Sequence, residues 1–324
     1  YTYSTDATGY DPLFNNRLAT GWTLGQRWRL SDQVNVFNES QYLKAPNESG
    51  IAHTFGMDFY PGLGWTLGFT LQNAQLDEAT GTVDRRAVSI SGGRSSNATQ
   101  WQSKLEWRDD SGAEQRTQWV STNTLTHKLS ESFRIAARLN YSRTRDRLVD
   151  AEGAKFVEGN AGFAWRPYDS TRWALLGRYT FLYDVSSLGQ VGPNVATYDQ
   201  RSQVLALEGV FKPDDRWEFA GKVMRREGEV RFGRLTGAWA DSGATFLAGQ
   251  VRRAIGDDWN LLAEYRWLDV EDGGTRQGGL IGIDRDLGRN LRLGVGYNFT
   301  DFSDDLTDFD YDHRGWFLNL VGWY

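Results

Sequence analysis

Residues Trp259–Trp267 read WNLLAEYRW. Trp259, Leu261, Ala263, Tyr265 and Trp267 occupy alternate positions, and Asn260, Glu264 and Arg266 fall between them. Successive side chains of a β-strand point to opposite faces, so the run has one apolar face and one charged face. A helix would mix the two sets around its circumference. Aromatics close the apolar face at both ends, and full charges sit directly behind it.

The pattern recurs outward from this run in both directions. Leu291, Leu293, Val295, Tyr297 and Phe299 oppose Arg292 and Asn298, with Gly294 and Gly296 between them. Trp173, Leu175, Gly177, Tyr179, Phe181 and Tyr183 oppose Arg178, Thr180 and Asp184. Phe133, Ile135, Ala137, Leu139 and Tyr141 alternate with Arg134, Arg138 and Asn140. Trp101, Ser103, Leu105 and Trp107 alternate with Lys104, Glu106 and Arg108. Near the start, Leu18, Trp22, Leu24, Trp28 and Leu30 oppose Gly21, Gly25, Arg27 and Arg29. These runs last about 9 to 13 residues, against about 5–6 in ordinary sheets and about 9–11 for a strand that crosses a membrane. Aromatics at both ends of an apolar face suit the two membrane–water interfaces.

The breaks alternate in length. Short ones lie at Ser31–Gln33, Pro61–Gly64, Arg94–Ala98, Ser130–Ser132, Pro167–Thr171, Pro213–Arg216, Gly256–Asp258 and Asp286–Asn290. Longer Gly- and Asp-rich segments lie at Ala45–Gly50, Asp77–Val83, Asp109–Glu114, Asp146–Gly153, Ser186–Thr197, Gly228–Ser242, Asp269–Arg276 and Asp301–Gly315. Short periplasmic turns alternating with longer outer loops are the pattern of an outer-membrane barrel. Seventeen strands fit between Arg17 and Tyr324, and Tyr1–Thr5 supplies an eighteenth. The expected fold is all-β: one closed antiparallel transmembrane β-barrel over residues 1–324, of about 18 strands, or 16 if Tyr1–Thr5 and Arg85–Gly93 fail. Leu293 is expected on its lipid face at mid-membrane, and Asn298 in its lumen.

Composition narrows the alternatives. The 324 residues carry 36 Lys+Arg against 42 Asp+Glu, a formal charge of −6, and are 40% hydrophobic. With a mean hydropathy of −0.57, these figures alone would suggest a soluble acidic protein. The 14 Trp, 14 Tyr and 17 Phe exclude a disordered chain. The absence of Cys excludes disulfides and Cys-ligated metals. No stretch approaches the ~18 apolar residues of a membrane helix, and the acidic balance gives no nucleic-acid footprint. The opening YTYSTDATGY carries no signal-peptide pattern, so a mature chain, a fragment or a cytoplasmic chain is expected.

Two resemblances add to this. The last residues, Trp316–Tyr324 (WFLNLVGWY), place Trp316, Leu318, Leu320 and Tyr324 on one face and end on an aromatic. This resembles the C-terminal signal read by the barrel-assembly machinery, with Gly322 standing where an apolar residue is usual. The runs WALLGRYTFLYD (173–184), WEFAGKVMRREGEVRFG (217–233) and GVGYNFTDFSDDLTDFDYDHRGWFLNLVG (294–322) look like the C-terminal barrels of large, repeat-containing Gram-negative surface proteins. The resemblance implies location in the cell outer membrane and a role as anchor or translocator of a larger surface protein. It implies as partners outer-membrane lipid and lipopolysaccharide, the assembly machinery and an N-terminal passenger or periplasmic segment. A free-standing porin-like channel is the alternative, and an outer-membrane enzyme comes third.

The chemistry-bearing residues are few. Arg27, Arg29, Arg108, Arg134, Arg138, Arg178, Arg266 and Arg292 lie on charged faces and are expected to line a water-filled lumen, with Glu106, Glu158, Glu208 and Glu264 among them. Cross-strand pairing of these charges is the plain reading; an electrostatic filter is the functional one. His53 and His127 sit inside strands with no carboxylate nearby in sequence, and no nucleophile–His–acid order or HExxH stands out, so no catalytic residue and no cofactor are expected. Six Asp between Asp301 and Asp312 offer oxygen ligands without EF-hand spacing, and a solvated acidic loop is the expected reading. Two 15-residue segments, Gly228–Ser242 and Asp301–Gly315, could narrow the lumen in part.

Overall fold

The computed structural model describes residues 20–44, 49–78, 81–148, 151–185, 198–232, 237–256, 258–288, 290–302, 306 and 314–322. Among these, the chain forms an 18-stranded sheet. The strands are β1 (Thr20–Arg29), β2 (Val34–Lys44), β3 (Ser49–Gly62), β4 (Trp65–Glu78), β5 (Gly81–Ser95), β6 (Thr99–Gly112), β7 (Arg116–Lys128), β8 (Phe133–Asp146), β9 (Ala151–Trp165), β10 (Trp173–Val185), β11 (Tyr198–Phe211), β12 (Trp217–Phe232), β13 (Trp239–Asp241), β14 (Ala244–Ile255), β15 (Trp259–Val270), β16 (Gly274–Asp286), β17 (Leu291–Asn298) and β18 (Gly315–Gly322).

Seventeen of these are long, and they follow the sequence breaks from Arg17 onward. The eighteenth is β13, a three-residue strand paired to β12 through Glu229↔Asp241, Val230↔Ala240 and Arg231↔Trp239. Tyr1–Thr5, expected to supply it, lies outside the described residues. Arg85–Gly93, the other doubtful strand, lies within the 15-residue β5.

Two compact units make up the chain. One comprises Tyr1–Thr126, Ala137–Glu158 and Asp184–Thr197; the other comprises His127–Ala136, Gly159–Tyr183 and Tyr198–Tyr324. In the first, β1 to β6 pair each with the next, antiparallel throughout. In the second, β11 pairs with β12, β12 with β14, and β14 to β18 each with the next, again antiparallel.

Strands run further into the Asp- and Gly-rich segments than composition suggests. Asp77↔Thr82 and Glu78↔Gly81 extend the β4–β5 ladder, and Asp269↔Thr275 and Val270↔Gly274 extend β15–β16. The ladder is made by backbone groups and needs no apolar side chain. Here the polar side chains add to it: Thr82 Oγ1 donates to Asp77 Oδ1 at 3.0 Å, and Thr275 Oγ1 to Asp269 Oδ1 at 2.8 Å.

The short turns use a common device. The hydroxyl or carboxylate of Ser31, Ser130, Ser170 and Asp214 accepts a backbone N–H two residues on, at 2.8–3.2 Å. The β3–β4 turn differs: Leu63 (φ 52°) and Gly64 (φ 74°) both take positive φ, as a two-residue type I′ hairpin requires. A Cβ on Gly64 would stand 1.9 Å from the Ser95 carbonyl oxygen, so only glycine fits.

In both units the apolar face is the exposed one. Leu24 is 61% exposed, Ile90 56%, Tyr265 54% and Ile281 55%. The charged face is the covered one: Arg85, Ser89, Arg108, Asp110, Arg226 and Asp284 are all buried. Small apolar clusters sit on that covered face, Ala52, Ala74, Leu76 and Val83 in the first unit and Val204, Met224, Ala244, Phe246 and Leu268 in the second.

The apolar face is organised in cross-strand rows. In the first unit one row runs Asn38↔Phe55↔Leu71↔Val88↔Trp107, and the next Val36↔Met57↔Phe69↔Ile90↔Leu105. Arginines stack on tryptophans near the short turns: Arg94 on Trp65 at 5.3 Å, Arg253 on Trp217 at 4.8 Å and Arg285 on Trp259 at 5.2 Å. Leu293 pairs with Arg285 and so belongs to the Trp259 row rather than to mid-face; Ile281, opposite Ala263, is the central residue.

Candidate functional site

The charged face carries the chemistry, and it is built from alternation. On β6 every second residue, Lys104, Glu106, Arg108 and Asp110, points to this face behind Trp101, Leu105 and Trp107. Lys104 Nζ meets Glu106 at 2.7 Å, and Arg108 donates to the same carboxylate. Arg108 also reaches Gln118 Oε1 at 3.3 Å, and the Gln118 amide donates to Ser142 Oγ at 3.3 Å and Thr144 Oγ1 at 3.1 Å. One level along the strand, Arg85 forms a bidentate pair with Asp110, Nε to Oδ1 at 2.7 Å and Nη2 to Oδ2 at 2.8 Å, with both groups buried. Planar pairing of this kind satisfies both charges at once, as burial demands.

The second unit repeats the logic near its short turns. Arg292 donates to Asp286 at 2.6 and 3.2 Å and lies 3.4 Å from Asp284. Asp284 also accepts from Asn260 at 2.9 Å and lies 3.7 Å from Arg252. Lys212 meets Glu218 at 2.5 Å. Glu264 accepts from Arg266 and from Gln250, the latter at 2.8 Å. Two cavities open on this face beside the turns. One of about 620 Å3 has Arg134, Trp165, Tyr168 and Glu208 in its wall; one of about 550 Å3 has Lys212, Glu218, Arg252 and Arg292.

A stretch of the β17–β18 connection lies over the charged face. Phe299 N–H still donates to the Gly279 carbonyl at 2.8 Å, so the chain leaves β17 in register. The Thr300 N–H then bonds the Asn298 side chain at 3.0 Å, and the chain turns inward. Phe302 and Leu306 bury themselves among Val204, Met224, Ala244, Phe246 and Leu268, with the Phe302 ring edge-on to Phe246 at 6.5 Å. Beneath them Arg226, fully buried, donates from Nη1 to the Leu306 carbonyl at 3.2 Å. Of the two segments expected to narrow a lumen, Asp301–Gly315 supplies Phe302 and Leu306 to this cover, and the described residues of Gly228–Ser242 continue the sheet as β12 and β13.

The sequence-derived residues divide accordingly. Arg108, Glu264, Arg266 and Arg292 sit in the networks above. Arg27 lies 3.5 Å from Asp58 and 5.2 Å from the Phe37 ring, while Arg29 pairs with Asp32 at a turn, at 2.8 Å. Arg134, Arg138 and Arg178 are exposed and join no described network. Glu158 accepts from Asn140 at 3.0 Å. Trp316, Leu318 and Leu320 share the exposed face of β18, at 78%, 74% and 64%; Tyr324 lies outside the described residues, as do five of the six aspartates from Asp301 to Asp312. Asn298, expected in the lumen, lies on the charged face and is buried at the turn into Thr300. No group of three His, Asp or Glu able to hold a metal occurs among the described residues.

Sequence reasoning passed over Arg85, Asp110, Arg226, Arg252 and Asp284. The signal was present in the parity: Val88 and Ile90 face out on β5, which sends odd-numbered Arg85 the other way, and Phe219 and Val223 do the same for Arg226 on β12.

No family model matches the chain, and no curated protein matches it. Among solved structures it is similar to a bacterial polysaccharide outer membrane secretin, with 10% identity, 77% of this chain and 83% of that one covered, and a TM-score of 0.37. It is similar to the copper transporter OprC, with 13% identity, 87% and 60% covered, and a TM-score of 0.42. The alcaligin outer membrane receptor FauA from Bordetella pertussis matches with 12% identity, 94% and 67% covered, and a TM-score of 0.42. The chain thus spans 60% of the length of OprC.

Proposed function

We propose that the chain is a closed β-barrel of the Gram-negative outer membrane, serving as anchor or translocator of a larger surface protein around a wet, narrowed lumen. The observation that carries this is the inversion of the two faces. Large apolar side chains are exposed while Arg85, Arg108 and Arg292 are covered and paired with Asp110, Glu106 and Asp286. In water each such apolar side chain would give up roughly 1.5–3 kcal/mol of available burial; in a bilayer lipid covers them. Lipid also demands closure, because a sheet edge there leaves backbone groups with no water to bond.

Arg27, Arg29, Arg108, Arg134, Arg138, Arg178, Glu264, Arg266 and Arg292 then face the lumen. Opposite charges alternate along it, so their fields largely cancel and ion selectivity is mild. No residue is assigned catalytic work. The cover formed by Phe302 and Leu306 favours an anchor over an open pore, since it lays apolar side chains over part of the charged face. Trp316, Leu318, Leu320 and Tyr324 serve recognition by the assembly machinery, and outer-membrane lipid and lipopolysaccharide surround the apolar face.

A channel for ions or small solutes is the second reading, favoured by the exposed Arg134, Arg138 and Arg178. Purified protein in a planar bilayer separates the two. The anchor reading expects small conductance steps; large, steady steps from the unaltered chain would overturn it in favour of the channel. Recovery of the chain in a cytoplasmic or inner-membrane fraction would overturn both.

A further inference from the structure

The exposed face of the first unit turns from apolar to polar along one edge of its apolar rows. Above the row Asn38↔Phe55↔Leu71↔Val88↔Trp107 comes the row Ser40↔His53↔Asn73↔Arg86↔Asp109. Its members point outward by parity, on the same side as Phe55 and Ile90, yet all are polar. It lies on the side of the apolar rows away from the short turns. A cavity of about 460 Å3 opens across the two rows, with Asn38, His53, Asn73 and Arg86 at its polar end and Phe55, Leu71 and Trp107 in its apolar wall.

The polar end is short of partners. Arg86 forms no ion pair or hydrogen bond with described residues. Its cross-strand neighbour Asp109 is engaged elsewhere, accepting from Arg147 at 2.6 Å and from Thr117 at 3.4 Å. His53 is fixed by one bond, its Nδ1 to Ser40 Oγ at 2.8 Å, which leaves Nε2 open. The side-chain amides of Asn38 and Asn73 are likewise uncommitted among described residues. Among the described residues, Arg86 is thus a guanidinium without a partner, set with neutral polar groups at the top of an apolar trough.

From this, and resting on the membrane reading above, we infer that Arg86, His53, Asn73 and Asn38 bind the phosphate headgroup of a membrane lipid whose acyl chains lie along Phe55, Leu71, Val88 and Trp107. The charge fits: a guanidinium pairs bidentately with phosphate oxygens, and amide groups add donors of no net charge. Continuity fits too, because the trough opens directly onto the exposed rows of Met57, Phe69 and Ile90 that lipid would cover. A soluble phosphate would gain nothing from the apolar wall.

The test uses the full chain, purified in detergent and examined by native mass spectrometry with synthetic diphosphorylated lipid A. Arg86→Gln should weaken retention of the tightest-held lipid about tenfold. The double variant His53→Ala, Asn73→Ala should weaken it less, and Arg143→Gln, on an exposed face elsewhere, should leave it unchanged. The same lipid stripped of its phosphates should be lost from the unaltered protein. Retention by Arg86→Gln equal to that of the unaltered chain, equal binding of the dephosphorylated lipid, or equally tight binding of inorganic phosphate would each overturn the site. If any of these occurs while the protein still fractionates with the outer membrane, the site fails and the membrane reading stands. Cytoplasmic fractionation would instead sink the reading beneath it.

Discussion

Phe302→Ala should loosen the cover from the charged face without unfolding the sheet. Phe302 is 4% exposed and packs with Leu306 against Val204, Met224, Ala244, Phe246 and Leu268. Truncating a fully buried Phe costs about 3–5 kcal/mol. The lower end applies, since the segment is a connection that can partly collapse into the space. About 3 kcal/mol corresponds to roughly a hundredfold shift towards the lifted state. The chain has no cysteine, so a single thiol introduced by Met224→Cys, beneath Phe302, reports lifting directly. Its labelling by a maleimide should speed up roughly a hundredfold when Phe302→Ala is added, because the rate follows the open population. Conductance steps in a planar bilayer should grow in parallel. Phe299→Ala is the control: it lies in the same connection but is 49% exposed on the other face, and it should change neither readout. Unchanged labelling with Phe302→Ala, or an equal response to Phe299→Ala, would refute the assignment of this segment as a cover.

Ile281→Arg, central on the apolar face, should destabilise the inserted protein by about 2–4 kcal/mol in urea titrations from lipid vesicles, whereas Leu293→Arg, level with Arg285, should cost about 0–1 kcal/mol. Equal costs would contradict the depth order of the rows. Asp110→Ala should cost about 3 kcal/mol by removing the carboxylate that pairs bidentately with buried Arg85, and adding Arg85→Ala should restore part of that loss; a merely additive double variant would show that the pair is not coupled. Deleting Tyr324 should lower the yield of outer-membrane-inserted chain in cells while leaving the denaturation midpoint of the inserted fraction unchanged. Normal insertion of the truncated chain would remove the terminal signal from the account.

The alternation of Trp259–Trp267 and its counterparts determined the seventeen long strands between Arg17 and Tyr324 and their faces, but not the three-residue β13. Side-chain direction in a strand is fixed by local backbone geometry, so residue parity alone carries that information. The Trp residues that close the faces were legible for the same reason. Local geometry does not say which charges meet. Arg85 finds Asp110 across 25 positions of chain, and Arg292 chooses Asp284 and Asp286, because hydrogen-bond register sets those neighbours. Nor could composition place the ends of β4, β5, β15 and β16, since backbone ladders run on through Asp and Gly wherever two strands stay in register. The fate of the acidic β17–β18 connection was the least legible. Phe302 and Leu306 look incidental among aspartates; only the tertiary structure supplies the pocket, assembled from β11, β12, β14 and β15, that buries them.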